Sequence, residues 1–301
     1  MCIRDRPIDL HVKGLEAMGA KITLEHGYVQ GKADYLKGIK FYFDTVSVTG
    51  TANLIMAAVL AEGETILENA AKEPEVVFLA DILNLAGAKI SGHGTDIIAI
   101  QGTTSLKPIE CTIFPDRIET GTFMIAAAIT QGDVTIENCI PKHVEPIALK
   151  LQEAQVGVEI SENKIRVKGK GPISSVNAKT HPYPGFPTDI QAQFMALMTL
   201  AQGQSIIVET VFENRFMHVS ELKRMGADIS LDGRTAIING VKSLSGAPLM
   251  ATDLRASASL VLAALAAKGS SIISRVYHID RGYVGIEKKL SKLGAQIRRI
   301  K

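Results

Sequence analysis

The feature that most constrains this chain is that it repeats itself. LEAMGAKI from Leu15, LNLAGAKI from Leu83, LQEAQVGVEI from Leu151, LKRMGADI from Leu222 and LSKLGAQI from Leu290 each read as the end of an amphipathic helix running into a strand. Their first leucines lie 68, 68, 71 and 68 residues apart. A fixed period of this length means one supersecondary unit used again and again. In four of the five, a Gly-Ala pair starting at Gly19, Gly87, Gly226 or Gly294 stands where a left-handed residue would stop the helix. The third carries Gln155 and Val156 there, so no glycine cap is expected at that helix.

A second series interleaves with the first. LIMAAVLAEGETIL, MIAAAITQGDVTI, FMALMTLAQGQSIIV and LVLAALAAKGSSII each read as an apolar, small-residue helix ending at a glycine and followed by a β-branched strand. The glycines, Gly63, Gly132, Gly203 and Gly269, are 69, 71 and 66 residues apart. One unit of about 70 residues therefore reads inner helix, strand, outer helix, then a strand pair such as ITLEHGYVQGK or ISLDGRTAIING with its turn in the middle. A helix apolar all round, such as Met124 to Ile129, must be buried on every side, whereas the helix through Leu222 to Met225 should turn Glu221, Lys223 and Arg224 outward. An open solenoid needs polar capping repeats, and none is visible, so a closed α+β arrangement around the inner helices is expected. Five outer-helix signals against four inner ones mean that the chain starts in mid-unit, with MCIRDR as a cut edge. If units close in threes, six make a set, and about one and a half lie outside this sequence.

Composition excludes several classes. The apolar runs FMIAAAI and LVLAALAA fall far short of the roughly 20 residues that span a bilayer, and no signal segment precedes them, so a cytoplasmic protein without a membrane partner is expected. Three cysteines, Cys2, Cys111 and Cys139, fit neither a disulfide framework nor a zinc site. The seven histidines have no HxxxH or HExxH spacing, so no metal is expected. A net charge of +2 disfavours a nucleic-acid surface.

Seven ordered motifs carry more specific information: RPIDLH, ENAAKEPEV, PDRIETGTF, FPTDIQAQF, TVFENRFMHV, DLRASASLVLA and YHIDRGY. Together, from Arg6 to the C-terminus, they resemble the UDP-N-acetylglucosamine 1-carboxyvinyltransferases, the enolpyruvyl transferases that begin peptidoglycan synthesis. The resemblance implies two lobes of three inverted βαβαββ units each, with residues 1–114 as the remainder of a truncated first lobe and 115–301 as the second. It implies transfer of the enolpyruvyl group of phosphoenolpyruvate to the 3'-hydroxyl of UDP-N-acetylglucosamine with release of phosphate. Both substrates are polyanions, so the site needs guanidinium groups and helix N-termini, and no cofactor is called for. A monomer is expected of the complete protein, and the chain alone is expected to be inactive.

The resemblance also implies roles. Asp189, in FPTDIQAQF, matches the base-bearing segment; by sequence alone it reads equally as a first-turn acid favoured by the helix dipole, with Thr188 as a possible cap. Arg255 and Arg281 match phosphoenolpyruvate-site arginines, joined by Arg6, with Asp253 a supporting acid; the plainer reading is surface pairing with Asp253 and Asp280. Arg6, Pro7, Ile8, Asp9 and Leu10, then Thr45, Val46, Ser47 and Val48 at a helix start, and Val211 match nucleotide-sugar contacts, as does Asp189. Cys2 departs from the family loop GCxIGxR: it stands four residues before Arg6 instead of five, and Arg4 replaces the loop glycine. Two alternatives stay open, the sister transferase acting on shikimate 3-phosphate and a non-catalytic scaffold of the same fold.

Overall fold

The computed structural model describes residues 8–300, so Cys2, Arg6 and Pro7 lie outside the described residues. Contacts divide the chain into two bodies between Ile113 and Phe114. In the first, helix α1 (Asp9–Ala17) runs into a hairpin of β1 (Lys21–Glu25) and β2 (Tyr28–Lys32). His26 and Gly27 between them both take positive φ, 51° and 81°, the two-residue turn whose twist matches that of its strands. A whole unit follows: β3 (Lys40–Tyr42), α2 (Val48–Ala58), β4 (Glu64–Glu68), α3 (Pro74–Leu85), β5 (Lys89–Ser91) and β6 (Ile97–Gln101). Its sheet order is β3-β4-β6-β5, with β3 and β4 parallel and the other pairs antiparallel. The parallel pair needs a crossover, and α2 supplies it. Leu54 of α2, with Leu67, Ile98 and Ile100 from the sheet, is fully buried. α1 lies close on α2 because Gly14 has no side chain; a Cβ there would come within 2.5 Å of Leu54 Cδ1.

The second body contains three inner helices. α4 (Arg117–Ile129) leads to β7 (Asp133–Glu137), α5 (Glu145–Glu153), β8 (Gly157–Ile160) and β9 (Lys164–Lys168), with sheet order β7-β9-β8. Next come β10 (Ala178–Lys179), α6 (Gln191–Met198), β11 (Gln204–Val208), α7 (Val219–Arg224), β12 (Asp228–Asp232) and β13 (Thr235–Asn239). They are ordered β10-β11-β13-β12, the topology of the whole unit in the first body. Last come β14 (Pro248–Met250), α8 (Leu254–Ala266), β15 (Ile272–Ser274) and α9 (Ile286–Lys292), with β14 parallel to β15. α4, α6 and α8 pack on one another. Every residue of α6 is buried, as is every residue of α4 from Met124 to Ile129. This is the α+β architecture of repeated units that the two repeat series lead one to expect, and the two four-stranded units show the βαβαββ order that the resemblance implies.

Three local expectations are corrected. Glu221 does not face solvent: it is buried, and its carboxylate accepts the Met250 amide at 2.9 Å, so of the three charged residues only Lys223 and Arg224 turn outward. The helix without a glycine stops like the others, because Gln155 itself takes the left-handed conformation (φ 65°) that Gly19, Gly87, Gly226 and Gly294 take elsewhere. At the end of α4 the positive φ falls on Gln131 (56°), one residue before Gly132. The Gln131 side chain holds that turn by donating to the Gly171 carbonyl at 3.0 Å and accepting the Gly171 amide at 3.2 Å.

A left-handed non-glycine residue is strained by about 1–2 kcal/mol, while a glycine gives back roughly 0.5–1 kcal/mol through its greater freedom in the unfolded chain. Gln155→Gly is therefore expected to stabilise the protein by up to about 1 kcal/mol, read as a raised midpoint in urea unfolding. A lowered midpoint would mean that the Gln155 side chain contributes more than its backbone costs.

Candidate active site

Asp189 does not lie in the α6 helix itself. Thr188–Ile190 form a 3-10 turn between Pro187 and α6, and Thr188 does not cap the helix: its hydroxyl donates to Glu209 Oε2 at 2.8 Å. This leaves the Asp189 carboxylate free of capping duty. Arg215 Nη2 donates to one of its oxygens at 2.6 Å and Arg255 Nη2 to the other at 3.1 Å. The two arginine side chains are only 12% and 13% exposed, while Asp189 retains 39%, so the acid is the solvent-facing member of the cluster. Burial pushes the Asp189 pKa upward, but the charges of Arg255 and Arg215 and their hydrogen bonds outweigh it and hold the carboxyl below the ordinary aspartate value.

Arg255 is not paired with its sequence neighbour. Asp253 is the N-cap of α8, its Oδ1 accepting the amides of Arg255 at 2.8 Å and Ala256 at 2.9 Å. Because that carboxylate serves the helix end, the Arg255 guanidinium is left to reach Asp189, 66 residues away in sequence. Asp280 likewise binds Arg299 through two hydrogen bonds, at 3.0 and 2.6 Å, and not Arg281. The surface pairing considered for both arginines does not form.

Beneath the cluster lies a buried polar layer. The Arg255 guanidinium sits 5.6 Å from the centre of the Tyr283 ring. Tyr283 is fully buried, with its hydroxyl 2.8 Å from Thr122 Oγ1 on α4 and 3.3 Å from Gln193 Nε2 on α6. Arg255 thus rests on a ring that is itself held by the other two inner helices. His218, fully buried at the start of α7, completes the surroundings. Burial lowers its pKa to about 4, and Arg215 adds to the effect while Asp253 opposes it, so it is neutral at pH 7.

The other expected residues fall as follows. Arg281 is exposed at the end of the 3-10 turn Val276–Arg281, two residues before Tyr283. Val211 is 44% exposed, while its amide donates to Glu209 Oε1 at 2.8 Å. In the first body, Ile8, Asp9 and Leu10 open α1, and Thr45, Val46, Ser47 and Val48 lead into α2. The two segments are joined through His11, whose ring nitrogens lie 3.2 Å from Thr49 Oγ1 and 2.7 Å from Asn53 Nδ2. Ser47 caps α2 by accepting the Gly50 amide at 3.1 Å, so that amide is not free for an anion. Arg215, Glu209, His218, Tyr283, Thr122 and Gln193 were not singled out from the sequence. Five of them lie in quoted motifs, all but Glu209, and Arg215 and Tyr283 are near neighbours of residues that were. Among the described residues no group of three or more His, Cys, Asp or Glu is placed to hold a metal ion, and no helix is long and apolar enough to cross a membrane.

The unit topology is that of an enolpyruvyl transferase fold. The chain is similar to the crystal structure of the enolpyruvyl transferase NikO from Streptomyces tendae, with a TM-score of 0.88 and 25% identity over 97% of this chain and 72% of that one. It shares its fold with EPSP synthase from Acinetobacter baumannii at a TM-score of 0.72 and 22% identity, again over 97% and 72% of the two chains. The family model for EPSP synthase (3-phosphoshikimate 1-carboxyvinyltransferase) matches residues 1–290. Proteins named UDP-N-acetylglucosamine 1-carboxyvinyltransferase from Geobacter metallireducens and Desulfosudis oleivorans are each 61% identical to it. They align over 98% and 99% of this chain and 71% and 72% of their own length. The chain belongs to the EPSP synthase family of 1-carboxyvinyltransferases, in the branch of these UDP-N-acetylglucosamine enzymes.

His218 makes a prediction about acid stability. Its folded pKa lies below the unfolded value of 6.5, so the unfolded chain binds the extra proton, and stability is lost as pH falls from 6.5 toward 4. Over that window His218→Phe should lose about 3 kcal/mol less than the parent, measured by urea unfolding at several pH values. Parallel curves would show that His218 does not titrate there.

Proposed function

We propose that this chain's site transfers the enolpyruvyl group of phosphoenolpyruvate to the 3'-hydroxyl of UDP-N-acetylglucosamine, releasing phosphate and serving peptidoglycan synthesis. The observation that carries this is Asp189 gripped by Arg215 and Arg255 at the start of the inner helices, in a chain about 60% identical to enzymes named for that reaction. Asp189 takes the proton of the attacking hydroxyl as its oxygen adds to C2 of phosphoenolpyruvate. C3 takes a proton to complete the tetrahedral adduct, and elimination then removes a proton from that C3 methyl as phosphate leaves C2, which restores the C2=C3 double bond of the enolpyruvyl product. Arg255 and Arg281, with Arg6, bind the donor's anionic groups. Arg255 suits this because its Nη1 is buried with no hydrogen-bond partner among the described residues, leaving a donor unused after Nη2 has bound Asp189.

The same cluster tunes the base. While both arginines hold it, the carboxylate is a weak proton acceptor. An anionic substrate competing for Arg215 and Arg255 weakens that hold and raises the basicity of Asp189 when the hydroxyl is in place. Nucleotide-sugar contacts are assigned to Pro7, Ile8, Asp9, Leu10, Thr45, Val46, Ser47, Val48 and Val211, supported by the junction of the first two segments through His11. Asp253 acts through its cap on α8, which sets the backbone of Arg255.

Calorimetric titration and a phosphate-release assay test the proposal. Carried in a protein of its relatives' full length, the site should bind UDP-N-acetylglucosamine and release phosphate only when phosphoenolpyruvate is also present; binding of shikimate 3-phosphate in its place would overturn the choice of acceptor. Asp189→Asn should retain nucleotide-sugar binding and cut turnover by about a hundredfold or more, because an amide cannot take the hydroxyl proton. Arg255→Lys and Arg281→Lys retain charge but lose the planar fork, so each should weaken phosphoenolpyruvate use by roughly 1.5–3 kcal/mol in kcat/KM. Donor kinetics unchanged in both variants would remove the two arginines from the donor site.

A further inference from the structure

Glu209 follows β11 and is 1% exposed. A buried carboxylate is tolerated only when its lone pairs are used, and here four donors use them. Oε1 accepts the Thr180 hydroxyl at 2.8 Å and the amides of Val211 at 2.8 Å and Phe212 at 3.0 Å; Oε2 accepts the Thr188 hydroxyl at 2.8 Å. These donors come from three separate segments: the end of β10, the turn that carries Asp189, and the loop that carries Val211 and Arg215. Arg215 then returns to Asp189 at 2.6 Å. The contacts form a closed ring, from Glu209 through Thr188 to Asp189, across to Arg215, and back along the loop to Glu209.

We infer that Glu209 is a positioning residue that sets the separation of Asp189 from the loop bearing Arg215 and Val211. A surface staple for the loop would need only its two amides bound. The additional bond to Thr188, next to Asp189, makes this carboxylate a ruler between the two groups. The inference rests on the reading of Asp189 as the base, but the geometry it asserts can be measured without turnover.

The test uses the full chain with Glu209→Ala, Glu209→Gln and Thr188→Val. Glutamine keeps one oxygen for Thr180, Val211 and Phe212 and turns an N–H toward the Thr188 hydroxyl, so it should preserve the ring. Alanine should release it. In Glu209→Ala, the Asp189 carboxyl, followed by carbon-13 NMR, should titrate closer to an ordinary aspartate as Arg215 withdraws. The Val211 and Phe212 amides should lose protection from hydrogen exchange, and both should stay near the parent in Glu209→Gln. Turnover should fall on the order of a hundredfold in Glu209→Ala, as for a misplacement near 1 Å, with KM for the nucleotide sugar raised, and Glu209→Gln should restore most of both.

If Glu209→Ala only lowers the melting temperature, leaving the Asp189 titration and the amide protection unchanged, the residue is structural and the inference is overturned. Should Glu209→Ala fail to fold, Thr188→Val decides, since it breaks only the bond to Oε2; an unmoved Asp189 titration in that variant also overturns it. If the parent, carried in a protein of its relatives' full length, neither binds UDP-N-acetylglucosamine nor releases phosphate, the proposed function fails, and the titration still decides on Glu209.

Discussion

Helices α4, α6 and α8 have no polar face to offer water along their middle turns, so they must be kept dry by one another and by the sheets packed around them. Most of the second body's geometry depends on this constraint. The sheets lie outside the helices because the strands alternate and the inner helices do not. Mutual packing also brings side chains from distant parts of the chain into a layer too deep for solvent, and Thr122, Gln193 and Tyr283 use their hydrogen bonds on each other there. A polar group at that depth is costly unless paired, so the layer also fixes the register of the helices.

The charged cluster sits at the solvent end of that layer. Two nearly buried arginines around one half-exposed aspartate form an arrangement in which the acid offsets one of the two positive charges and the bases hold the acid ionised. Breaking such a group on one side leaves an uncompensated charge, so its members are expected to act as a unit. On the function proposed above, an incoming polyanion would change the electrostatics of the whole cluster at once and so link donor binding to the basicity of Asp189. The cap on α8 is a precondition, because a free Asp253 carboxylate would compete for Arg255 from two residues away.

Two of the units repeat exactly in topology but not in chemistry. The whole unit of the first body and the middle unit of the second share one strand order, yet the start of α2 carries a self-contained serine cap while the start of α6 carries the arginine-held aspartate. In the first body Met56 and Leu60 are 47% and 56% exposed, unlike their counterparts on α4 and α6. A shared scaffold therefore does not make equivalent surfaces; the residues at each helix start decide what each unit does.

Much of this was legible in one dimension. Period, element type, the hairpin turns and the burial of the inner helices all follow from local pattern, because hydrophobic spacing and turn chemistry act over a few residues. Asp189, Asp253 and Arg255 were visible as chemistry-bearing residues in ordered motifs. Local reading failed where a side chain had a choice of partners. Thr188 read as a cap but bonds Glu209, Glu221 read as a surface acid but takes the Met250 amide, and Gln155 read as a missing stop but adopts the glycine conformation itself. The partners of Asp189 lie 26 and 66 residues away, and Tyr283 meets Thr122 across 161. The sequence by itself determined the repeating unit and the family. Only the tertiary structure decided which charges meet, because pairing over such separations depends on how buried helices pack and which donors that packing leaves unused.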